Sequence, residues 1–169
     1  SQIHRQIRNV HSKLDTHVTN AGILHLASPQ SKVSAYEVIH EAVGAYPFLN
    51  AEQRMQVQVV IETDFEFISS FVRFSQGLSN LITNSLTAID LRFAGHSRNE
   101  GCIQIHASTS GSDGLIRISD NGVGIPAALQ NLVDESVFTA HRGAALGLGL
   151  TYMERLVAFA GGQVSVESI

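Results

Sequence analysis

The chain has 169 residues, 44% of them hydrophobic, with a formal net charge of -4; that is enough to bury one sizeable core, and a second full domain would be hard to fit. Its 11 Lys and Arg residues are scattered, which argues against a nucleic-acid groove, since backbone phosphates demand a concentrated basic face. No apolar run approaches the roughly 20 residues that cross a bilayer, and the lone Cys102 has no partner for an internal disulfide.

Residues 1 to 26 place Ile3, Ile7, Val10, Leu14, His17, Ala21 and Leu24 at alternating four- and three-residue steps; a single amphipathic helix packed on its own domain shows a similar stripe, but the narrow 3.5 period favours a helix that pairs with others, including those of a second copy. Ala27-Ser28-Pro29-Gln30-Ser31 breaks the pattern, because proline and the residue before it both disfavour a continuing helix. The expected boundary lies there, giving an appendage over 1–28 and a body over 29–169.

Within the body, Ala35 to Ala45 reads as a short helix with Tyr36, Val38, Ile39, Ala42 and Val43 available for burial. Gln56 to Phe67, rich in β-branched and aromatic residues, reads as one strand. The spacing of Phe71, Phe74, Leu78, Leu81, Ile82, Leu86 and Ile89 predicts a long helix from Ser70 to about Leu91. Cys102–Ser108 and Leu115–Ser119 flank the turn residues Ser110-Gly111-Ser112-Asp113-Gly114 and are expected to form a hairpin. A Gly- and Ala-rich stretch then leads into a helix from about Leu148 to Ala160, and Gln163–Glu167 reads as a closing strand. The mix predicts an α/β two-layer sandwich, helices against an antiparallel-leaning sheet.

Three segments carry chemistry. Asn80 and Asn84 sit four residues apart on one helical face; magnesium takes one or two protein oxygens alongside substrate phosphates, so a single Asn ligand suffices. Asp120-Asn121-Gly122-Val123-Gly124-Ile125 follows a strand. A carboxylate there accepts a hydrogen bond from an exocyclic amine, and the glycines let the backbone approach a planar base. Gly143 to Leu150 opens the last helix with small residues, presenting amide hydrogens and the positive dipole end to an anion. Between the last two segments, Leu132–Arg142 lacks periodicity and reads as a lid whose cations are His141 and Arg142. Taken singly, these stretches are equally solvated helix amides, an ordinary turn, a flexible glycine loop and solvated loop charges.

Their order is more specific. The chain resembles the GHKL ATPase superfamily, in particular the catalytic domain of sensor histidine kinases: Leu78–Ser85 is similar to the N box, Asp120–Ile125 to the G1 box, Phe138-Thr139 to the F box and Gly147–Leu150 to the G2 box. The resemblance runs from about Ser31 to Ile169. It implies a Bergerat-type ATP-binding fold whose final strand is truncated, preceded by the end of a dimerisation and histidine-phosphotransfer helix. It implies Asn84 as the magnesium ligand and Asp120 as the contact to the adenine amine. Gly122 and Gly124 would shape the base pocket, Gly147 and Gly149 would line the phosphates, and Ile125, Phe138, Thr139, His141, Arg142 and Leu148 would complete the nucleotide site. At Asn80 the hydrolytic members carry a glutamate that activates water; an amide is no general base, so a histidine kinase is implied rather than a hydrolase.

The implied cofactors are ATP and Mg2+. The implied partners are the chain's own phosphoacceptor bundle within a homodimer and the receiver domain of a response regulator, at the cytoplasmic side of a membrane-bound receptor. None of the eight histidines has an acceptor context, which places the acceptor elsewhere. Val38–Ala42, Tyr46-Pro47-Phe48 and Asp64–Phe67 resemble hybrid kinases that sense quorum signals. Thr87 stands where the N box commonly has a lysine, Ala145 where the G2 run has a glycine, and His141 where a lysine is frequent. These departures leave open a nucleotide-sensing module that controls a partner kinase without catalysis.

Overall fold

The computed structural model describes residues 29–94, 100–125 and 146–167. In chain order these form β1 (Ser31–Ser34), α1 (Ala35–Gly44), α2 (Ala51–Met55), β2 (Val57–Ile61), β3 (Glu66–Ser69), α3 (Phe71–Arg92), β4 (Ile103–Ser110), β5 (Asp113–Asp120) and α4 (Leu146–Phe159). The predicted N-terminal helix and lid lie outside the described residues.

β2, β4 and β5 make a three-stranded sheet in that order, β2 parallel and β5 antiparallel to β4. The sheet is therefore mixed, with α3 in the connection between its parallel pair. β4 and β5 form the expected hairpin, closed by Gly111 and Ser112, with Gly111 at φ 62 where a side chain would be strained. Strand alternation turns Ile103, Ile105 and Ala107 inward, all fully buried. On the opposite face His106 lies 3.2 Å from Glu62. Against the inner face pack Val38, Ile39, Ala42 and Val43 of α1 and Phe74, Leu78, Ile82, Leu86 and Ile89 of α3, forming one core. This is the predicted helix-on-sheet sandwich.

Three sequence readings are corrected. Gln56–Phe67 is two strands, because Glu62 and Thr63 both give their amides to the Ala107 carbonyl and end β2. Asp64 then accepts hydrogen bonds from the Tyr36 amide (2.9 Å), the Phe65 amide (2.9 Å) and the Ser34 hydroxyl (2.8 Å). Those local bonds compete with a continuous ladder, and β3 pairs instead with β1, Ser31 opposite Ser69. Gln163–Glu167 forms no strand, although Val164 and Val166 alternate in burial with exposed neighbours. Tyr36 faces outward, 49% exposed and stacked 4.1 Å from His40, while Ala35 takes the buried position.

Helix starts follow their capping chemistry. Ser34 accepts from the Glu37 amide at 3.2 Å, with Glu37 at the third position as in a capping box. Ser70 accepts from the Arg73 amide and opens the 22-residue α3. Along one face of α3 a ladder of hydroxyls bonds back four residues: Ser75 to Phe71, Ser79 to Ser75, Thr83 to Ser79 and Thr87 to Thr83. Because Thr83 spends its proton on Ser79, the Tyr46 hydroxyl 3.0 Å away is the donor to Thr83. Burial pushes the Tyr46 phenol up.

Candidate functional site

The site is built on the face of α3 that carries Arg73, Gly77, Asn80, Asn84 and Ala88. Its first half is covered by α4, running antiparallel: Tyr152 donates its hydroxyl to the Arg73 carbonyl at 3.1 Å, and Met153 lies against Gly77. Gly77 permits this approach, since a Cβ there would overlap the Met153 sulfur. Burial pushes the Tyr152 phenol up to about 12, against the opposing charge of Arg73. One turn nearer its N-terminus, α4 places the buried Gly149 over both asparagines; a Cβ on Gly149 would stand 3.3 Å from Asn80 Cβ and 3.3 Å from Asn84 Nδ2. Gly147 and Leu148 belong to the same first turn.

The second half of the face is covered by the turn after β5. Gly122 lies so close to Ala88 that a Cβ would come 2.5 Å from the Ala88 methyl and 2.7 Å from its carbonyl carbon. The Val123 amide donates to the Ala88 carbonyl at 3.1 Å. Gly124 adopts φ 70, a conformation that favours glycine, and Ile125 follows, half-buried. The Asp120 carboxylate, exposed at the strand end, accepts the Gly122 amide through Oδ1 at 2.9 Å.

Asn84 therefore stands between two covers. Gly149 touches it on one side, and Ala88, roughly 6 Å further along the helix, marks the edge of the Asp120 turn. Asn80 accepts from Gln76 Nε2 at 3.3 Å, while its own Nδ2 is buried with no hydrogen-bond partner among the described residues. Such a donor is costly to leave unmade. Beside the positive end of α4, it suits an anionic oxygen. With the Asn84 carboxamide one turn on, the donor set fits a polyphosphate and a hard cation, and the exposed carboxylate of Asp120 fits an amine-bearing base at the far end.

Of the residues singled out by sequence, the structure gathers Asn80, Asn84 and Gly149 at one end and Asp120, Gly122 and Gly124 at the other, joined by one helix face. Phe138, Thr139, His141 and Arg142 lie outside the described residues. Thr87 is exposed with its hydroxyl turned back on the Thr83 carbonyl. Sequence reasoning missed Gly77 and Arg92, and gave Asn121 no role of its own. Gly77 had a signal, a glycine inside a helical run; Arg92, in the last turn of α3, had none.

Comparison with known proteins bears on the family and the fold. The family described as histidine kinase-, DNA gyrase B-, and HSP90-like ATPase matches residues 70–169, more than half of the chain. The CAI-1 autoinducer sensor kinase/phosphatase CqsS of Vibrio cholerae serotype O1 is 29% identical over 143 residues, 83% of this chain and 20% of that protein. The sensor histidine kinase RcsC of Escherichia coli is 29% identical over 136 residues, 78% of this chain and 12% of that protein. The chain thus spans a fifth or less of the length of these relatives. Among solved structures, the Acinetobacter baumannii histidine kinase AdeS aligns with a TM-score of 0.66 at 15% identity, over 99% of this chain and 76% of that one. The ATP binding domain of PrrB from Mycobacterium tuberculosis aligns at 0.56 and 20% identity, over 83% and 88%. At these identities the alignments show the fold.

Proposed function

From the premise that the chain belongs to the histidine kinase-, DNA gyrase B- and HSP90-like ATPases, we propose that it binds ATP with magnesium and passes the γ-phosphoryl group to a protein histidine. One observation carries the reading: a single face of α3 presents a buried amide donor with no partner among the described residues and a second carboxamide under the N-terminal turn of α4, and ends at the turn that holds Asp120. Asp120 would accept from the adenine amine, with Gly122 and Gly124 letting the backbone lie close to the ring. Asn84 would hold the magnesium and Asn80 would donate to a phosphate oxygen, with Gly147, Leu148 and Gly149 contributing the helix start. Magnesium held there would neutralise charge on the phosphates.

Catalysis here is positioning and charge stabilisation. Asn80 offers no basic group to draw a proton from water, which favours an imidazole acceptor over hydrolysis. Phe138, Thr139, His141 and Arg142 belong to the same proposal as a cover over the nucleotide.

The domain division belongs to the proposal as well: residues 1–28 as the end of a dimerisation helix and 29–169 as the catalytic domain. In the longer protein, a homodimer would supply the acceptor histidine and a receiver domain would take the phosphoryl group. No helix among the described residues is long and apolar enough to cross a membrane; the placement proposed is the cytoplasmic side of a membrane-bound receptor. The similarity to CqsS supports a hybrid kinase that answers a quorum signal.

A second reading rests on Thr87, which brings no cation to the phosphates: a nucleotide-sensing module that controls a partner kinase. Labelled ATP incubated with the chain and an intact acceptor bundle separates the two. Phosphate transfer to the bundle is expected; nucleotide binding without transfer would leave only the sensing module. Calorimetry on Asn84→Asp and Asp120→Asn tests the site itself, both expected to lose most ATP affinity while remaining folded.

A further inference from the structure

We propose that Arg92 is a positioning residue for Asp120, acting through the peptide group between Asn121 and Gly122. This rests on the reading of Asp120 as the contact to the base. The Arg92 guanidinium, in the last turn of α3, donates through Nη1 to the Asn121 carbonyl at 2.8 Å and to the Gly122 carbonyl at 3.2 Å. The Asn121 carbonyl belongs to the same peptide plane as the Gly122 amide, and that amide donates to Asp120 Oδ1 at 2.9 Å. In a trans peptide the carbonyl and the amide hydrogen point in opposite directions. Holding the carbonyl toward Arg92 therefore holds the hydrogen toward Asp120.

Glycine at 122 makes such a brace necessary. It removes the side-chain restraint on rotation of the peptide plane, and the close approach to Ala88 forbids any larger residue. The other restraints act elsewhere on the turn. The Asn121 side chain accepts from the Cys102 amide at 2.8 Å and donates to the Glu100 carbonyl at 2.8 Å, fixing it to the start of β4. The Val123 amide fixes it to Ala88. Among the hydrogen bonds described for the turn, only that from Arg92 to the Asn121 carbonyl grips the outward side of the Asn121–Gly122 plane; the second Arg92 bond holds the next plane, through the Gly122 carbonyl. The donor of both is charged, which makes them the stronger kind. With the plane free to turn over, the carboxylate loses its amide donor and meets a carbonyl oxygen in its place.

The test combines amide exchange and ATP calorimetry on the whole chain, comparing Arg92→Met, Arg92→Lys, Asp120→Asn and the Arg92→Met/Asp120→Asn double variant. In Arg92→Met without nucleotide, exchange of the Gly122 amide is expected to quicken by about tenfold with the melting temperature within a few degrees of the parent. ATP affinity is expected to fall by about tenfold, to recover in part in Arg92→Lys, and to change less than twofold when Asp120 is already Asn, because the two effects share one route. Unchanged Gly122 exchange overturns the brace, as does an equal loss of ATP affinity with and without Asp120. If Arg92→Met does not fold, Arg92→Lys carries the same two readings, and parent-like exchange together with an undiminished loss in the Asp120→Asn background overturns the proposal. Asp120→Asn binding ATP as the parent does would instead sink the reading of Asp120, leaving the exchange result to judge the brace.

Discussion

Replacing Gly122 with Ala forces a choice between the turn and the helix. The added methyl would sit 2.5 Å from the Ala88 Cβ and 2.7 Å from the Ala88 carbonyl carbon, whereas carbon atoms rest at about 3.5–4.0 Å. One of the two neighbours is backbone within a 22-residue helix, so relief must come from lifting the turn by about 1 Å. That displacement breaks the Val123 bond to Ala88, now 3.1 Å, and strains those of Arg92. Overpacking costs about 1–3 kcal/mol and the lost bond about 1 kcal/mol more. A chain of this size loses about 2–4 °C per kcal/mol, giving a fall of about 5–15 °C. Asp120 moves with the turn, so ATP affinity should drop at least tenfold. Thermal melting and calorimetry measure the two effects, with Gly111→Ala as a control: strained at φ 62 but with open space around it, it should lower stability and leave ATP binding alone. A Gly122→Ala protein with parental melting temperature and ATP affinity would refute the packing described for the turn.

Gly149→Ala is a milder case, its Cβ 3.3 Å from both asparagines; helix propensity offsets crowding, so melting should shift by only about 2 °C while calorimetry shows a several-fold weaker ATP. Tyr152→Phe should cost about 1 kcal/mol at neutral pH through the lost bond to Arg73. With the folded phenol raised by burial to about 12, the contribution of the parent tyrosine is complete below its ordinary value of 10.0. Melting against pH should therefore show the gap between the two proteins closing as pH rises from 10 toward 12. Asp64 has the opposite sign. Burial pushes its carboxyl up, but the hydrogen bonds from Tyr36, Ser34 and Phe65 outweigh that and hold it below the ordinary 3.8. Asp64→Asn should cost about 1 kcal/mol near neutrality, and acid titration of stability should show this difference vanishing as pH falls below 3.8, since only the ionised parent benefits.

Periodicity carried the long elements. The apolar stripe of α3 and the turn residues between β4 and β5 left little room for another assignment, and both lie within a few residues of expectation. β3 escaped because a run of β-branched and aromatic residues from 56 to 67 carries no mark of where Asp64 diverts the chain; that diversion depends on Ser34 and Tyr36, some 30 residues away. The parallel pairing of β2 with β4 is likewise a property of the connection rather than of either strand. At the site, Asn84, Asp120 and the glycines were legible because amides, a strand-end carboxylate and small residues have distinctive chemistry. Arg92 was not, because an arginine at a helix C-terminus is common on any surface, and its role appears only when two backbone carbonyls are folded onto it.

The α3 face between Gly149 and the Asp120 turn is proposed to receive an adenine nucleotide. A crystal structure of the chain grown with magnesium and a non-hydrolysable ATP analogue tests it most directly. The adenine amine is expected on the Asp120 carboxylate and the phosphates beside Asn80, Asn84 and the first turn of α4. Nucleotide found elsewhere on the chain, with that face bare, would contradict it.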